Sequence, residues 1–282
     1  MADWRPILKR RDNGFPRIMG VLNVTPDSFH AGSRVEGIEN AVKKATGMFE
    51  EGAEWIDIGG ESTRPGAVEV SHEEEARRVI PVIEAVRDAL PEVGISIDTR
   101  RESIARMALD AGADMVNDVS SLGDEGMTDL IIETGCPICI MHMKGLPQDM
   151  QDDPSYGDVV KEVRDRLFYS SRKLTEAGVD PSKIIVDPGI GFGKLLEHNI
   201  SLLSSGRSVV PTEDMGLMWG VSRKSMFKQM LGRDLSEERL AGTLGVAAMA
   251  RVKGVDVIRV HDVKEHSDLF SVMDGIGWNH GK

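Results

Sequence analysis

The sequence predicts a single α/β domain built as a (β/α)8 barrel, a TIM barrel. Three observations carry that expectation. Eight apolar, β-branched runs alternate with amphipathic segments over 282 residues, which matches the count and length of such a barrel. The runs end in polar or ionisable side chains. Glycines stand where helix-like segments give way to strand-like ones. No linker or low-complexity tract divides the chain, so residues 17–282 are assigned to the barrel and 1–16 to an N-terminal extension. A doubly wound open sheet is the alternative arrangement.

The strand-like runs are, in order, Arg17–Thr25, Trp55–Glu61, Gly94–Thr99, Met115–Ser120, Pro137–Met143, Ile184–Gly189, Gly216–Ser222 and Val257–Val263. Between them Ile38–Glu51, Glu73–Leu90, Glu102–Ala111 and Asp158–Ala177 carry apolar residues at helical spacing. Gly52, Gly112 and Gly254 precede Ala53, Ala113 and Val255 and are read as helix stops. The segment Ser204–Met215 has no clear period and reads as irregular. Two stretches rich in Pro, Gly, Ser and Asp, Thr25 to Gly37 and Gly59 to Ser71, read as lid loops.

Composition excludes some functions. The net charge is −12, from 34 basic and 46 acidic residues, which argues against nonspecific nucleic-acid binding. Met1 to Arg17 contains no apolar targeting core, and no run approaches the length of a membrane span, so a cytoplasmic enzyme is expected. Cys136 and Cys139 lie three apart in a strand-like run, so they face opposite sides and read as buried thiols rather than a redox pair.

In a barrel of this kind the chemistry gathers at the carboxyl ends of the strands. There the sequence places Asn23, then Asp57 to Glu61 and Thr63-Arg64-Pro65, then Asp98, Asn117-Asp118 and Met141-His142. Asp187, Ser222-Arg223-Lys224 and Arg259-Val260-His261 follow. Any single Asp or Asn at a strand end can be a helix cap, but capping does not explain eight polar ends on one face. Asp98, Asn117 and Asp187 form an acceptor-rich group suited to a flat heterocycle with N–H donors, with Lys224 balancing the charge. An internal ion pair of Lys224 with Asp187 fits the same residues. Arg259, His261 and Asn23 form an expected anion site, and Asn23 adds an oxygen ligand if Mg²⁺ accompanies a diphosphate. If strand alternation continues, Ser222 shares a face with Lys224.

The loop Asp187-Pro-Gly-Ile-Gly-Phe-Gly-Lys194 invites a phosphate-binding reading. Pro188 and Leu195 exclude the Walker pattern, and Lys194 stands where the dinucleotide fingerprint needs its third glycine. The loop therefore marks a ligand site without naming a nucleotide.

Taken together, Met19-Gly-Val-Leu-Asn23-Val-Thr-Pro-Asp27-Ser-Phe29, Asp57-Ile-Gly-Gly-Glu-Ser-Thr-Arg-Pro-Gly66, Ser96–Thr99, Val116–Asp118, Met141–Gly145, Asp187–Lys194, Ser222–Ser225 and Arg259–Asp262 resemble the motifs of the dihydropteroate synthase family, in order, over roughly residues 17–270. The resemblance implies condensation of 6-hydroxymethyl-7,8-dihydropterin diphosphate with 4-aminobenzoate, giving 7,8-dihydropteroate and diphosphate. It implies that Asp98, Asn117, Met141, Asp187 and Lys224 hold the pterin. It further implies that Asn23, Arg259 and His261 hold the diphosphate with Mg²⁺, and that Thr63, Pro65, Phe192, Ser222 and Phe29 shape the aminobenzoate site. Asp27 and Arg64 act from the lid loops in that scheme, beside Asp98, Asp187 and Lys224 as the catalytic set. Homodimers, through the last helices, and sulfonamide binding are also implied. The chain departs from the family at His30-Ala-Gly-Ser33, Trp219 and Lys228. Trp219 is expected to pack in the barrel wall. Two rival functions are a pterin-dependent methyltransfer barrel and a pterin-binding module without transferase activity.

Overall fold

The computed structural model describes residues 8–24, 34–61, 70–145, 150 and 154–277. Eight parallel strands close into one barrel in the order β1 to β8. They are β1 Arg17–Asn23, β2 Trp55–Gly59, β3 Gly94–Asp98, β4 Met115–Asp118, β5 Ile138–Met141, β6 Ile184–Asp187, β7 Gly216–Trp219 and β8 Val257–Val260. The helices are α1 Arg34–Glu50, α2 His72–Ala89, α3 Glu102–Asp110, α4 Glu125–Thr134, α5 Val159–Glu176, α6 Leu196–Ser205, α7 Met226–Leu231, α8 Leu240–Ala250 and α9 Val263–Gly275. The open-sheet alternative is excluded because β1 pairs with both β2 and β8.

The elements start and stop for legible reasons. Ser71 Oγ accepts from Glu74 N at the start of α2, and Asp124 and Asp158 cap α4 and α5 in the same way. Gly52, Gly112 and Gly254 all have positive φ, as the helix-stop reading requires. The strands end earlier than their apolar runs suggest: β1 stops at Asn23 rather than Thr25, and β7 at Trp219 rather than Ser222. Apolar composition continues past the last ladder bond because Val24 and Val221, just beyond the strands, are buried. Helix α1 begins at Arg34, inside the stretch expected to be loop.

Strand alternation sorts the side chains into two cores. The outer core lies between barrel and helices and contains Ile56, Ile97, Val116, Ile140, Val186 and Trp219 among others. The inner core is a small plug of Met19, Trp55, Met115, Cys139, Ile185, Met218 and Val257, closed by Leu8 from the N-terminal extension. Cys136 belongs to the outer core and Cys139 to the inner one, both as buried free thiols. Trp219 packs in the barrel wall, as expected. The stretch 204–215 is ordered, with a 3-10 turn at Gly206–Val209. Arg207 holds it by donating to Met215 O at 2.6 Å and Gly254 O at 3.1 Å, and by pairing with Asp256.

Candidate active site

The inner plug sets the floor of the site. Two residues further along the strands, the same inward face carries Asp57, Asn117, Asp187 and Arg259. Register adds the rest. Asn23, Gly59, Asp98 and Asn117 are successive ladder partners across β1 to β4, and Met141 pairs with Asp187 across β5 and β6. Gly59 keeps this row open: a Cβ there would lie 3.3 Å from the Asp98 Cβ.

A buried carboxylate to which the sequence reading gave no role organises the centre. Asp57 is fully buried, and its Oδ2 accepts from Asn117 Nδ2 at 3.2 Å and from Arg259 Nε at 2.5 Å. Arg259 Nη2 donates to Asp98 Oδ2 at 2.6 Å. Arg259 therefore bridges two carboxylates from β2 and β3. The reason is electrostatic. Buried carboxylates need donors, and a guanidinium can serve two at once. Asp57 Oδ1 has no hydrogen-bond partner among the described residues. The Asp57 contact also orients the Asn117 amide, leaving its carbonyl oxygen for a ligand.

These contacts shift the titrations. Burial pushes Asp98 up to about 7 against the pull of Arg259, with Asp57 adding to the rise. Burial also raises Asp187, opposed by the Gly189 N–H, which donates to Asp187 Oδ1 at 2.7 Å, and by Lys224. Burial pulls Arg259 down, but Asp57 and Asp98 outweigh it and leave the guanidinium more firmly charged than usual. Burial lowers Lys224 to about 8, opposed by Asp187.

Lys224 Nζ lies 3.7 Å from the Phe192 ring centroid, a cation–π contact. Lys224 and Asp187 stabilise each other's charge, although no direct salt bridge joins them among the described residues. Alternation does not extend past β7. Arg223 has φ 58, so the chain turns and Ser222 parts from Lys224. Ser222 Oγ instead meets His261, 3.1 Å from its N and 3.0 Å from its Nδ1. Arg223 pairs with Asp262 and fixes this turn.

Asp27, Phe29, Thr63, Arg64 and Pro65 lie outside the described residues. The two ends of the second loop are tied together: Val70 N donates to Glu61 Oε1 at 3.0 Å. Arg101 donates to Val70 O at 2.7 Å and pairs with the buried Glu75 of α2. The sequence places Asp57 at the polar end of its strand and in a family motif, but nothing local shows that it would pair with Arg259. Nothing there marks Glu75, which reads as an ordinary helix carboxylate.

Among the described residues no group of three or more His, Cys, Asp or Glu could hold a metal ion. Asn23 stands exposed at the end of β1. One neutral oxygen at an open mouth does not make a metal cage, but it fits a Mg²⁺ that arrives on phosphate oxygens and keeps its waters.

Residues 19–261 match the family model described as "Pterin binding enzyme". The dihydropteroate synthase of Escherichia coli (strain K12) is 45% identical over 263 residues, covering 93% of this chain and 92% of that protein. The Xanthomonas albilineans dihydropteroate synthase with 4-aminobenzoic acid superposes with a TM-score of 0.86 at 39% identity, covering 94% of each chain. The Yersinia pestis dihydropteroate synthase in a sulfonamide drug complex also gives 0.86 at 39% identity, over 95% of this chain and 97% of that one.

Proposed function

The chain belongs to the family of pterin-binding enzymes, and on that premise we infer that it catalyses the dihydropteroate synthase reaction of folate biosynthesis. The amine of 4-aminobenzoate displaces diphosphate from the methylene carbon of 6-hydroxymethyl-7,8-dihydropterin diphosphate. A C–N bond forms, the C–O bond to diphosphate breaks, and the amine gives up a proton. One observation carries the reading: the acceptors Asp98, Asn117 and Asp187 gather with the cations Arg259 and Lys224 at one barrel mouth.

The residues divide the work. Asp98, Asp187 and the Asn117 carbonyl accept from the pterin's amino and ring N–H groups, Met141 packs beside them, and Lys224 donates to the ring. The pterin's donors compete with Arg259 for Asp98. Their arrival frees Arg259 Nη2 for the diphosphate while Nε remains on Asp57. His261, steadied by Ser222, and Asn23 complete the anion side. Asn23 would help hold a Mg²⁺ ion, which would further neutralise the leaving group when bound. Asp98 and Asp187 favour positive charge spreading from the reacting carbon into the ring. Phe192 and Ser222 line the approach of 4-aminobenzoate, with Thr63, Pro65 and Phe29 joining from segments 62–69 and 25–33. Asp27 and Arg64 belong to the same two segments and act from there in the family scheme. An aromatic amine is nucleophilic at neutral pH, so no general base is assigned.

The reading includes a cytoplasmic homodimer. Helix α8, Leu-Ala-Gly-Thr-Leu-Gly-Val-Ala-Ala-Met-Ala, has no charged residue, yet only Thr243, Ala247 and Ala250 are buried. Ala241, Gly245 and Met249 form an exposed stripe at helical spacing, flanked by exposed Met230, Leu231 and Val252. Such a face suits a second copy of the same helix.

The test is diphosphate release. Release that requires both pterin diphosphate and 4-aminobenzoate supports the reading. Pterin binding without release favours a binding module, and methyl transfer from methyltetrahydrofolate favours the methyltransfer rival.

A further inference from the structure

The glycine loop ends in a lysine that no step above uses. Lys194 is only 3% exposed. Its Nζ faces inward, 2.9 Å from Gly189 O, 2.9 Å from Phe192 O, 3.3 Å from His142 O and 3.0 Å from His142 Nδ1. A lysine after a glycine-rich turn suggests a phosphate contact, but this one is buried and its donors are spent on protein acceptors.

The rest of the loop is pinned in the same manner. Gly189 N donates to Asp187 Oδ1 at 2.7 Å, Gly191 N to Asn199 Oδ1 at 2.8 Å, and Phe192 N to Gly189 O at 3.0 Å. Tyr156 Oη donates to Gly193 O at 2.8 Å. Close backbone approach explains two of the glycines. A Cβ on Gly189 would lie 1.8 Å from His142 O, and one on Gly193 would lie 2.3 Å from Lys144 O. The loop is thus laid directly on the backbone that follows β5, and the Lys194 ammonium joins the two.

The carbonyls that Lys194 grips belong to residues with work to do. Gly189 holds Asp187 through its N–H. Phe192 carries the ring beneath Lys224 Nζ. We infer that Lys194 is a positioning residue for 4-aminobenzoate: its buried side chain fixes the Gly189 and Phe192 carbonyls, so that the Phe192 ring forms a rigid wall to the aminobenzoate half of the site. The chemistry supports this. A buried ammonium with several carbonyl acceptors orders a loop that glycines would otherwise leave free to rearrange. Burial lowers Lys194 to about 7, and burial together with Lys194 holds His142 down at about 3, so the imidazole is neutral and its Nδ1 accepts. The inference rests on the proposed reaction.

The test compares Lys194→Met, which keeps length and removes every donor, with Lys194→Gln, which keeps a neutral donor. Both are first checked for native circular dichroism. The KM for 4-aminobenzoate is expected to rise by about tenfold in the Met variant and less in the Gln variant, with the KM for pterin diphosphate changed less than about threefold. A lysine that only stabilised the fold would lower the amount of active enzyme, and hence Vmax, with both KM values unmoved. An aminobenzoate KM unchanged in the folded Met variant overturns the inference, and if only the Gln variant folds, an unchanged KM there does so. Diphosphate release by the unaltered chain tests the reaction itself, so the two failures are distinguishable.

Discussion

Arg259 on β8 and Asp57 on β2 are 202 positions apart in sequence and joined by an Nε–Oδ2 contact of 2.5 Å. The pair makes Asp57 a working part of the site, since the same oxygen orients Asn117. Asp57→Asn keeps the shape but removes the charge that holds the guanidinium. Stability in urea is expected to fall by about 1–3 kcal/mol. Catalytic efficiency toward the pterin substrate is expected to fall as well, because Arg259 then competes more strongly for Asp98. Wild-type KM for the pterin in this variant would remove Asp57 from the site.

Asp187→Asn leaves the oxygen that accepts from Gly189 N but takes away the charge facing the pterin. The melting temperature should change little while diphosphate release falls by about 100-fold or more, the scale of losing one positioned electrostatic contact. Near-normal turnover would contradict the pterin role.

The pH profile of kcat/KM for the pterin should be a narrow bell. Asp98, raised to about 7 by burial, is protonated below that pH and loses the charge and an acceptor that face the ring, so activity falls on the acid side. Lys224, lowered to about 8 by burial, loses its proton above that pH, so activity falls on the alkaline side. The stability sign for Asp98 is opposite to its activity sign. A carboxyl raised on folding contributes stability that is present below its unfolded value and lost as pH rises through about 7. Asp98→Asn should abolish the acid limb in the residual activity; an unchanged limb would assign it to another group.

A Cβ added at Gly245 of α8 meets nothing within 4 Å, so the protomer has room for a side chain there. Gly245→Glu should therefore leave the protomer folded while placing a charge in the centre of the apolar stripe. Light scattering coupled to gel filtration is expected to read a dimer for the unaltered chain and a monomer for the variant. Equal masses would move the interface elsewhere.

Much of the site was readable as sequence because a strand alternates with period two and a parallel barrel places its chemistry at the strand ends. That suffices to bring Asp98, Asn117, Met141 and Asp187 to one mouth. It fails past Gly220, where the chain leaves the ladder: Ser222 meets His261, and Lys224 meets Phe192. It also fails for Lys194. A buried lysine and an exposed one look alike in a glycine-rich motif.

By itself the sequence determined the barrel, its glycine joints, the buried thiols and the polar face, since each follows from local periodicity or from one residue's allowed backbone angles. The tertiary structure alone decided which charges meet. Arg259 joins Asp57 and Asp98, and Lys194 turns inward to the loop carbonyls. The physical reason is that pairing is settled across the barrel. Each buried ion takes the partners that best offset its lost hydration, and those partners come from strands and loops far apart in the chain.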